Sequence, residues 1–301
     1  MDHESKRTTD LRSRLTPLGL GCVTFGREID EATSFQMMDH AVEKGIRHFD
    51  TAAAYAAGAS EKVVGAWFAS RRPAPGSIVV ATKFLPPYSA ASIEEAVRAS
   101  MERLGSASID LMYLHRWHDS AAAPETLAAF DRLASDGRVK ALGMSNTNAE
   151  QLGRMIDAQR ALGFAPVSAI QNNNNVAVRD VDEPLRALTH AHNMAVITYS
   201  PLGAGFLTGK YRTGVPAGTR FDVIPGHQQV YFHEQGRRRL ARLEALADRT
   251  GLPQAHLAIA WAMRRPGTAT VLIGGRSTAQ IDQAFTAQSI DPAIVRELDG
   301  D

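Results

Sequence analysis

The chain contains 301 residues, of which 44% are hydrophobic, and it carries a formal net charge of +1 at pH 7. A net charge this close to zero gives no electrostatic reason to expect a nucleic-acid partner or an anionic membrane surface, and no apolar run approaches the roughly 20 residues that span a bilayer. The single cysteine, Cys22, excludes a disulfide framework and is compatible with a reducing compartment, so we expect a cytoplasmic protein.

Residues 1–15 are rich in charge and lack an apolar core, which predicts a flexible N-terminal tail rather than a secretory signal. Beyond them, short apolar runs alternate with segments of helical periodicity. In the third predicted helix, Ser92 and Glu95 form the pattern of a capping box, which marks Ser92 as its start. The predicted strands are Leu18–Cys22, Arg47–Asp50, Ile78–Lys83, Asp110–His115, Val139–Met144, Val167–Gln171, Ala195–Tyr199 and Thr270–Ile273. The predicted helices are Asp30–Lys44, Ser60–Ala69, Ser92–Leu104, Pro124–Ser135, Asn148–Leu162, Val181–His192, Glu234–Thr250, Pro253–Arg264 and Thr278–Ala287.

Alternation of buried strands with helices predicts a parallel sheet covered on both faces. Eight such strands predict an α/β fold of the (β/α)₈ TIM-barrel type, with one domain over residues 16–301. An open doubly wound sheet would carry a phosphate loop after an early strand, but Gly19-Leu20-Gly21 does not continue as one. The irregular stretch from Pro201 to about Tyr231, after the seventh strand, is too long for an ordinary connection and predicts a binding segment or lid.

Four polar side chains follow the early strands. Asp50, Lys83 and His115 end the second, third and fourth strands, and Tyr55 lies just beyond the second. Because the carboxyl ends of parallel strands share one face of a barrel, we expect these groups to converge. A carboxylate, a phenol, an amine and an imidazole at one place predict an acid–base site for proton transfer to a carbonyl oxygen. No cluster of metal ligands is evident, so no metal site is predicted.

Six sequence motifs follow one another along the chain. They are Asp50-Thr51-Ala52 with Tyr55, Lys83 at a strand end, Asp110-Leu111-Met112-Tyr113-Leu114-His115, Gly143-Met144-Ser145-Asn146, Tyr199-Ser200-Pro201-Leu202, and Ile273-Gly274-Gly275-Arg276-Ser277 with Gln280. In these motifs and their order, the chain resembles the aldo-keto reductase superfamily of NADPH-dependent barrel enzymes, from about Leu18 to Ala287. The resemblance implies that Tyr55 donates a proton to the carbonyl oxygen while Lys83, held by Asp50, makes that proton available. It also implies that His115 orients the substrate carbonyl.

The same resemblance implies that the cofactor is NADPH. Tyr199 would stack on the nicotinamide ring, and Arg276 would bind the 2′-phosphate through its planar guanidinium group. Arg220 is a second candidate for that phosphate. The predicted cofactor-binding residues are Gly21, Cys22, Asp50, Ser145, Asn146, Gln171, Tyr199, Ser200, Leu202, Gly205, Lys210, Gly274, Gly275, Arg276 and Gln280.

Two departures from the family pattern bear on the pocket. Ala284 stands where the family commonly has an asparagine that contacts adenine, and the run Asn172–Asn175 replaces a pattern containing tyrosine. The asparagines either line a polar substrate pocket or form a strand-end turn. We expect the substrate to be a small-molecule carbonyl compound or alcohol. The alternative is an NADPH-binding regulatory subunit of a membrane channel, with little turnover.

Overall fold

The computed structural model describes residues 11–300 and arranges them around a closed barrel of eight parallel strands. Each strand pairs in parallel with the next along the chain, and the last pairs with the first. This topology confirms the predicted single-domain (β/α)₈ barrel. The strands are β1 (Leu18–Gly21), β2 (His48–Asp50), β3 (Val79–Phe84), β4 (Leu111–Leu114), β5 (Leu142–Ser145), β6 (Ala169–Asn173), β7 (Ala195–Tyr199) and β8 (Thr268–Ile273).

Helices connect successive strands, with several between β7 and β8. The helices are α1 (Glu31–Glu43), α2 (Ala59–Arg71), α3 (Ala90–Leu104), α4 (Pro124–Ser135), α5 (Ala149–Leu162), α6 (Glu183–Ala191), α7 (Arg220–Val223), α8 (Gln228–Tyr231), α9 (Glu234–Thr250), α10 (Gln254–Met263), α11 (Thr278–Ala287) and α12 (Pro292–Arg296). The bounds of α4, α9 and α11 are those predicted from the sequence, whereas α7, α8 and α12 were not predicted.

The start of α3 differs from the prediction. Ser89, not Ser92, is the N-cap residue, and its hydroxyl accepts a hydrogen bond from the backbone N–H of Ser92 at 3.1 Å. The hydroxyl of Ser92 accepts in return from the N–H of Ser89 at 2.9 Å. Ser92 thus fills the third helical position of the capping box, which Glu or Gln usually occupies. The sequence pattern correctly predicted a capping box, but it placed the start of the helix one turn too far along the chain.

Inward-facing side chains fill the barrel beneath the site. Tyr113 of β4 is buried among them, and it is accommodated by Gly143 of β5. A Cβ atom on Gly143 would lie 2.5 Å from two ring carbons of Tyr113, so only glycine leaves room for the ring. The Tyr113 ring forms a floor under Lys83, whose Nζ lies 5.9 Å from the ring centroid.

Part of the predicted tail packs on the barrel. Residues 1–10 of that tail lie outside the described residues, so its flexibility there stays a prediction. Leu11 is buried against side chains of the barrel interior. Arg14 forms an ion pair with Asp110 at 3.1 Å, and Arg12 donates to the Asn193 side chain at 3.1 Å. The packed part of the chain therefore extends upstream of residue 16.

The long segment after β7 is ordered by aromatic packing. Phe221 of α7 packs against Tyr231 of α8 with 5.7 Å between ring centroids, and Phe206 packs against Tyr231 at 5.9 Å. Asn173, at the end of β6, donates to the Tyr231 hydroxyl at 3.2 Å. These contacts hold the segment against the barrel. Within residues 11–300, no helix is long and apolar enough to cross a membrane.

Candidate active site

Lys83 and Asp50 form a buried ion pair at the carboxyl ends of β3 and β2. Lys83 Nζ donates to Asp50 Oδ1 at 2.5 Å and to the carbonyl oxygen of Thr51 at 2.8 Å, and neither charged side chain is more than 3% exposed. The same Nζ lies 3.4 Å from the Tyr55 hydroxyl. His115 follows β4, and its ring centroid lies 6.0 Å from that of Tyr55. The structure therefore brings the four predicted catalytic residues together.

The backbone after Tyr55 makes a left-handed turn. Ala56 and Ala57 have φ angles of 49° and 52°, and Gly58 follows with a φ of 88°. A left-handed conformation costs an alanine about 1–2 kcal/mol because its Cβ approaches the following carbonyl oxygen. Strain of this kind concentrates at functional sites, where the surrounding structure must hold it. The turn leads directly into α2, which begins at Ala59.

Glu61, in the first turn of α2, is a support for this turn that the sequence analysis missed. Its carboxylate is fully buried and accepts a hydrogen bond from Thr82 Oγ1 at 2.6 Å and one from Arg103 Nε at 2.6 Å. Thr82 precedes Lys83 in β3, so Glu61 ties the turn that carries Tyr55 to the strand that carries Lys83. The burial of its carboxylate indicates a structural role, and the sequence alone gives no sign of that burial.

We predict that replacing Glu61 with Ala lowers the free energy of unfolding by about 3–5 kcal/mol, because the Arg103 guanidinium loses its partner in a buried pair. Urea denaturation followed by circular dichroism measures this. The matched control is Glu95→Ala, which removes an exposed partner of Arg98 on α3 and should cost much less. Equal losses for the two variants would contradict a supporting role for Glu61.

Burial and neighbouring charges together determine the protonation states of Lys83, Tyr55 and His115. Burial acts to lower the pKa of Lys83, but the charge of Asp50 and the contact with Tyr55 outweigh it, so the pKa is raised and the amine stays charged. Burial raises the pKa of Tyr55 while the Lys83 charge opposes the rise, so the phenol is protonated at neutral pH. Burial and the Lys83 charge lower the pKa of His115 to about 4, so the imidazole is neutral. The site thus holds a charged amine, a protonated phenol and a neutral imidazole.

Beside this group, the ends of β5, β6 and β7 present polar side chains. Asn146 is exposed, donates to the carbonyl oxygen of His115 at 2.8 Å and accepts from the Tyr199 hydroxyl at 2.5 Å. Ser145 and Gln171 are buried below it. Gln171 Nε2 donates to Asp50 Oδ2 at 2.7 Å, so it fixes the carboxylate that holds Lys83.

The asparagine run forms a support for the loops above the barrel. Asn172 donates to the carbonyl oxygen of Thr147 at 2.7 Å, and Asn175 donates to that of Ser200 at 2.9 Å. Every member of the run is buried. Of the two readings of Asn172–Asn175, the structure therefore favours a strand-end turn over a pocket lining.

The segments predicted to hold the phosphates and the adenosine lie after β7 and β8. Lys210 is exposed and folds against Gly205, where a Cβ atom would lie 2.5 Å from Lys210 Nζ. After β8, the Arg276 side chain is exposed, and Gln280 Oε1 accepts from the Arg276 N–H at 2.6 Å. The remaining members of these segments are at least partly exposed, namely Ser200, Leu202, Gly274 and Gly275.

Cys22, a predicted cofactor-binding residue, and Ala284, the position of the missing adenine contact, are buried instead. The Cys22 side chain is fully buried, its thiol points to the carbonyl oxygen of Leu20 at 3.6 Å, and burial raises its pKa. It therefore presents no side chain to a ligand here, although its neighbour Gly21 is partly exposed. Ala284, in α11, is fully buried in the hydrophobic core, so its methyl group contacts core side chains.

A family model described as the aldo/keto reductase family matches residues 17–299. The chain belongs to the aldo/keto reductase family. Membership supports an oxidoreductase that uses a nicotinamide cofactor and acts on small molecules. The match covers the barrel strands and every residue of the site described above, so the family assignment and the local geometry concern the same part of the chain.

Proposed function

We propose that this aldo/keto reductase reduces an aldehyde or ketone to an alcohol, or catalyses the reverse reaction, with NADPH as cofactor and Tyr55 as the general acid and base. The observation that carries the proposal is the three-way contact of Lys83 Nζ with Asp50, the Thr51 carbonyl and the Tyr55 hydroxyl. An ammonium group fixed beside a phenol stabilises the phenolate that remains after the phenol has donated its proton.

Each residue has one task in the proposed reaction. When bound, the cofactor would supply the hydride for the carbonyl carbon. Tyr55 gives its proton to the carbonyl oxygen, and the positive charge of Lys83 offsets the negative charge that develops on the phenol. Asp50 holds Lys83 charged and in place. In the oxidation direction, the same phenolate takes the proton back.

His115 serves to orient the substrate. Its Nδ1 is buried and has no hydrogen-bond partner among residues 11–300, and its ring is neutral. A neutral imidazole can bind a carbonyl oxygen without competing for the proton that Tyr55 transfers. The 6.0 Å between the two rings leaves room for one carbonyl group to contact both.

The segments after β5, β7 and β8 suit the proposed cofactor. Gly205 leaves the space that Lys210 Nζ occupies, which gives a cation beside glycine backbone, a combination that fits a pyrophosphate. Tyr199 and Asn146, joined by their hydrogen bond, would face the nicotinamide. Arg276 would bind the 2′-phosphate that distinguishes NADPH from NADH.

The activity is tested with a panel of carbonyl compounds, following the loss of NADPH absorbance and repeating each assay with NADH. We expect turnover of some members of the panel and faster turnover with NADPH. Absence of turnover with either cofactor on a broad panel would contradict the proposed activity.

We predict that Arg276→Ala weakens NADPH binding by roughly one to two orders of magnitude, because a charge-assisted contact contributes about 1.5–3 kcal/mol. NADH, which lacks the phosphate, should bind almost as before. Fluorescence titration of both cofactors against both proteins measures this. The control is Arg98→Ala on α3, whose guanidinium pairs with Glu95 and Glu102 on its own helix.

Two other outcomes would assign different roles to Arg276. Equal weakening of NADPH and NADH would mean that Arg276 supports the loop structure. No change for either cofactor would move the phosphate site to Lys210 or Arg220.

A further inference from the structure

Ser60 and Thr51 form a buried hydroxyl bridge beside the site. Ser60 is the second residue of α2, and Thr51 directly follows β2. Their hydroxyl oxygens lie 2.8 Å apart, and Ser60 Oγ donates to the carbonyl oxygen of Cys22, just after β1, at 2.8 Å. Both side chains are fully buried. The bridge therefore joins the start of α2 to the ends of β1 and β2.

The number of protons fixes the direction of these hydrogen bonds. A serine hydroxyl carries one proton, and a carbonyl oxygen can only accept. Ser60 gives its proton to Cys22, so Thr51 Oγ1 is the donor to Ser60 Oγ. Removing the Ser60 hydroxyl would break both bonds, whereas removing that of Thr51 would break only the bond between the two side chains. A buried network in which every member is paired holds those members in one geometry.

The backbone of Thr51 also holds the proposed catalytic amine. Its carbonyl oxygen accepts from Lys83 Nζ at 2.8 Å, and its N–H donates to a backbone carbonyl oxygen of β3 at 2.8 Å. The N–H of Ala53 donates to the Lys83 carbonyl oxygen at 2.9 Å. Bonds to β3 thus fix the beginning of the segment that leads to Tyr55, and Ser60 fixes the chain beyond it.

The contact between Lys83 Nζ and the Tyr55 hydroxyl is the longest of the three contacts that the amine makes. It measures 3.4 Å, whereas those to Asp50 and to the Thr51 carbonyl oxygen measure 2.5 and 2.8 Å. A hydrogen bond is lost beyond about 3.5 Å. The strained turn after Tyr55 keeps its geometry only where neighbouring groups hold it. A small displacement of the turn would therefore break the contact with Tyr55 before the other two.

We infer that Ser60 and Thr51 are positioning residues for the proton transfer, because their hydroxyl bridge sets the distance between Tyr55 and Lys83. The inference rests on the proposed function and adds two residues to it. The turn that follows Tyr55 ends in α2, which the bridge holds to Thr51, and Thr51 in turn holds Lys83. A displacement of about 1 Å can cost a catalytic group about 10²-fold in rate, so the bridge should affect kcat.

The test removes each hydroxyl with little change in shape. Thr51→Val replaces the hydroxyl with a methyl group, Ser60→Ala removes the other hydroxyl, and Thr51→Ser keeps the hydroxyl and removes the methyl group. The matched control is Thr270→Val. Thr270 is a buried residue of β8 whose hydroxyl donates to the Thr16 carbonyl oxygen at 2.8 Å, before β1 and away from the site. Urea denaturation shows which variants are folded, and Thr51→Val carries the test if Ser60→Ala is not.

We expect kcat for carbonyl reduction to fall about ten-fold in Thr51→Val and at least as far in Ser60→Ala, with KM little changed. Thr51→Ser should restore kcat, and Thr270→Val should stay close to the wild type. Because the bridge acts through Tyr55, Thr51→Val should cost little more in a Tyr55→Phe background. Unchanged kcat in Thr51→Val overturns the inference. An equal loss in Thr270→Val, or a full further loss in the Tyr55→Phe background, overturns it too.

NADPH binding separates this role from an effect on the cofactor. The bridge ends at Cys22, next to the predicted cofactor-binding residue Gly21, so NADPH is titrated by fluorescence for each variant. An unchanged dissociation constant with a lower kcat supports the inference. Weakened NADPH binding with an unchanged kcat assigns the bridge to the cofactor and overturns it.

A second arm does not depend on turnover. In crystal structures of Thr51→Val and Ser60→Ala, the distance from Lys83 Nζ to the Tyr55 hydroxyl should exceed the 3.4 Å of the wild type, and in Thr51→Ser it should not. A longer distance supports the inference even if no carbonyl compound is reduced, a result that would contradict only the proposed function. An unchanged distance overturns the inference even if reduction is found, since the bonds of Glu61 would then suffice to hold the turn.

Discussion

Replacing Tyr55 with Phe should abolish most turnover while leaving the fold and NADPH binding intact. The change removes only the hydroxyl that lies 3.4 Å from Lys83 Nζ. General acid catalysis contributes about 10²–10⁴-fold, so kcat should fall by that order. Steady-state kinetics on a carbonyl substrate, with NADPH binding measured by fluorescence, tests both halves of the expectation.

The control for this substitution is Tyr211→Phe, which removes a hydroxyl that contacts the Ala204 carbonyl oxygen at 3.3 Å instead of the ion pair. Its kcat should stay close to that of the wild type. Near-normal carbonyl reduction by Tyr55→Phe would show that the proton comes from another group and that the proposed mechanism is wrong.

Lys83→Met should reduce kcat on the same scale for a different reason. The ammonium opposes the rise in the Tyr55 pKa that burial causes, and it stabilises the phenolate formed on proton donation. Without it, the pKa of Tyr55 should rise further and proton donation should weaken. The substitution also leaves Asp50 buried without its cation, so unfolding measurements must show that the variant is folded under assay conditions.

Because Tyr55 and Lys83 act in the same proton transfer, the losses of kcat in the two single variants should not multiply in the double variant. The double variant Tyr55→Phe/Lys83→Met should be little slower than the more damaged single variant, as is found for residues that act together in one step. A combined loss equal to the product of the single losses would mean that the two residues act independently.

The fold was largely predictable because its signals are local. Apolar strand runs, helical periodicity and caps such as Asp30 and Asp182 lie within a few residues of the element they define. The start of α3 was missed because Ser89 and Ser92 carry the same chemistry and only the hydrogen bonds distinguish them. The packing of Leu11 was missed because its contacts lie in the barrel interior, far along the chain.

The site was predictable where residue position in a strand determines geometry. Asp50, Lys83 and His115 converge because strand ends of a parallel barrel share one face. The support from Glu61 could not be predicted, since Glu61 and its partner Arg103 lie 42 positions apart in the chain. Sequence spacing carries no information about such contacts.

Hydride transfer from NADPH to a substrate carbonyl at the Tyr55 site can be followed with a deuterium label. NADPH is prepared with deuterium at the reactive nicotinamide carbon, separately for each face of the ring. The alcohol product is then examined by NMR and mass spectrometry. We predict that deuterium appears on the carbinol carbon from one labelled face only, and that Tyr55→Phe nearly eliminates labelled product. NADPH binding without any transfer of the label would show that the Tyr55 site does not catalyse hydride transfer, and it would favour a regulatory protein.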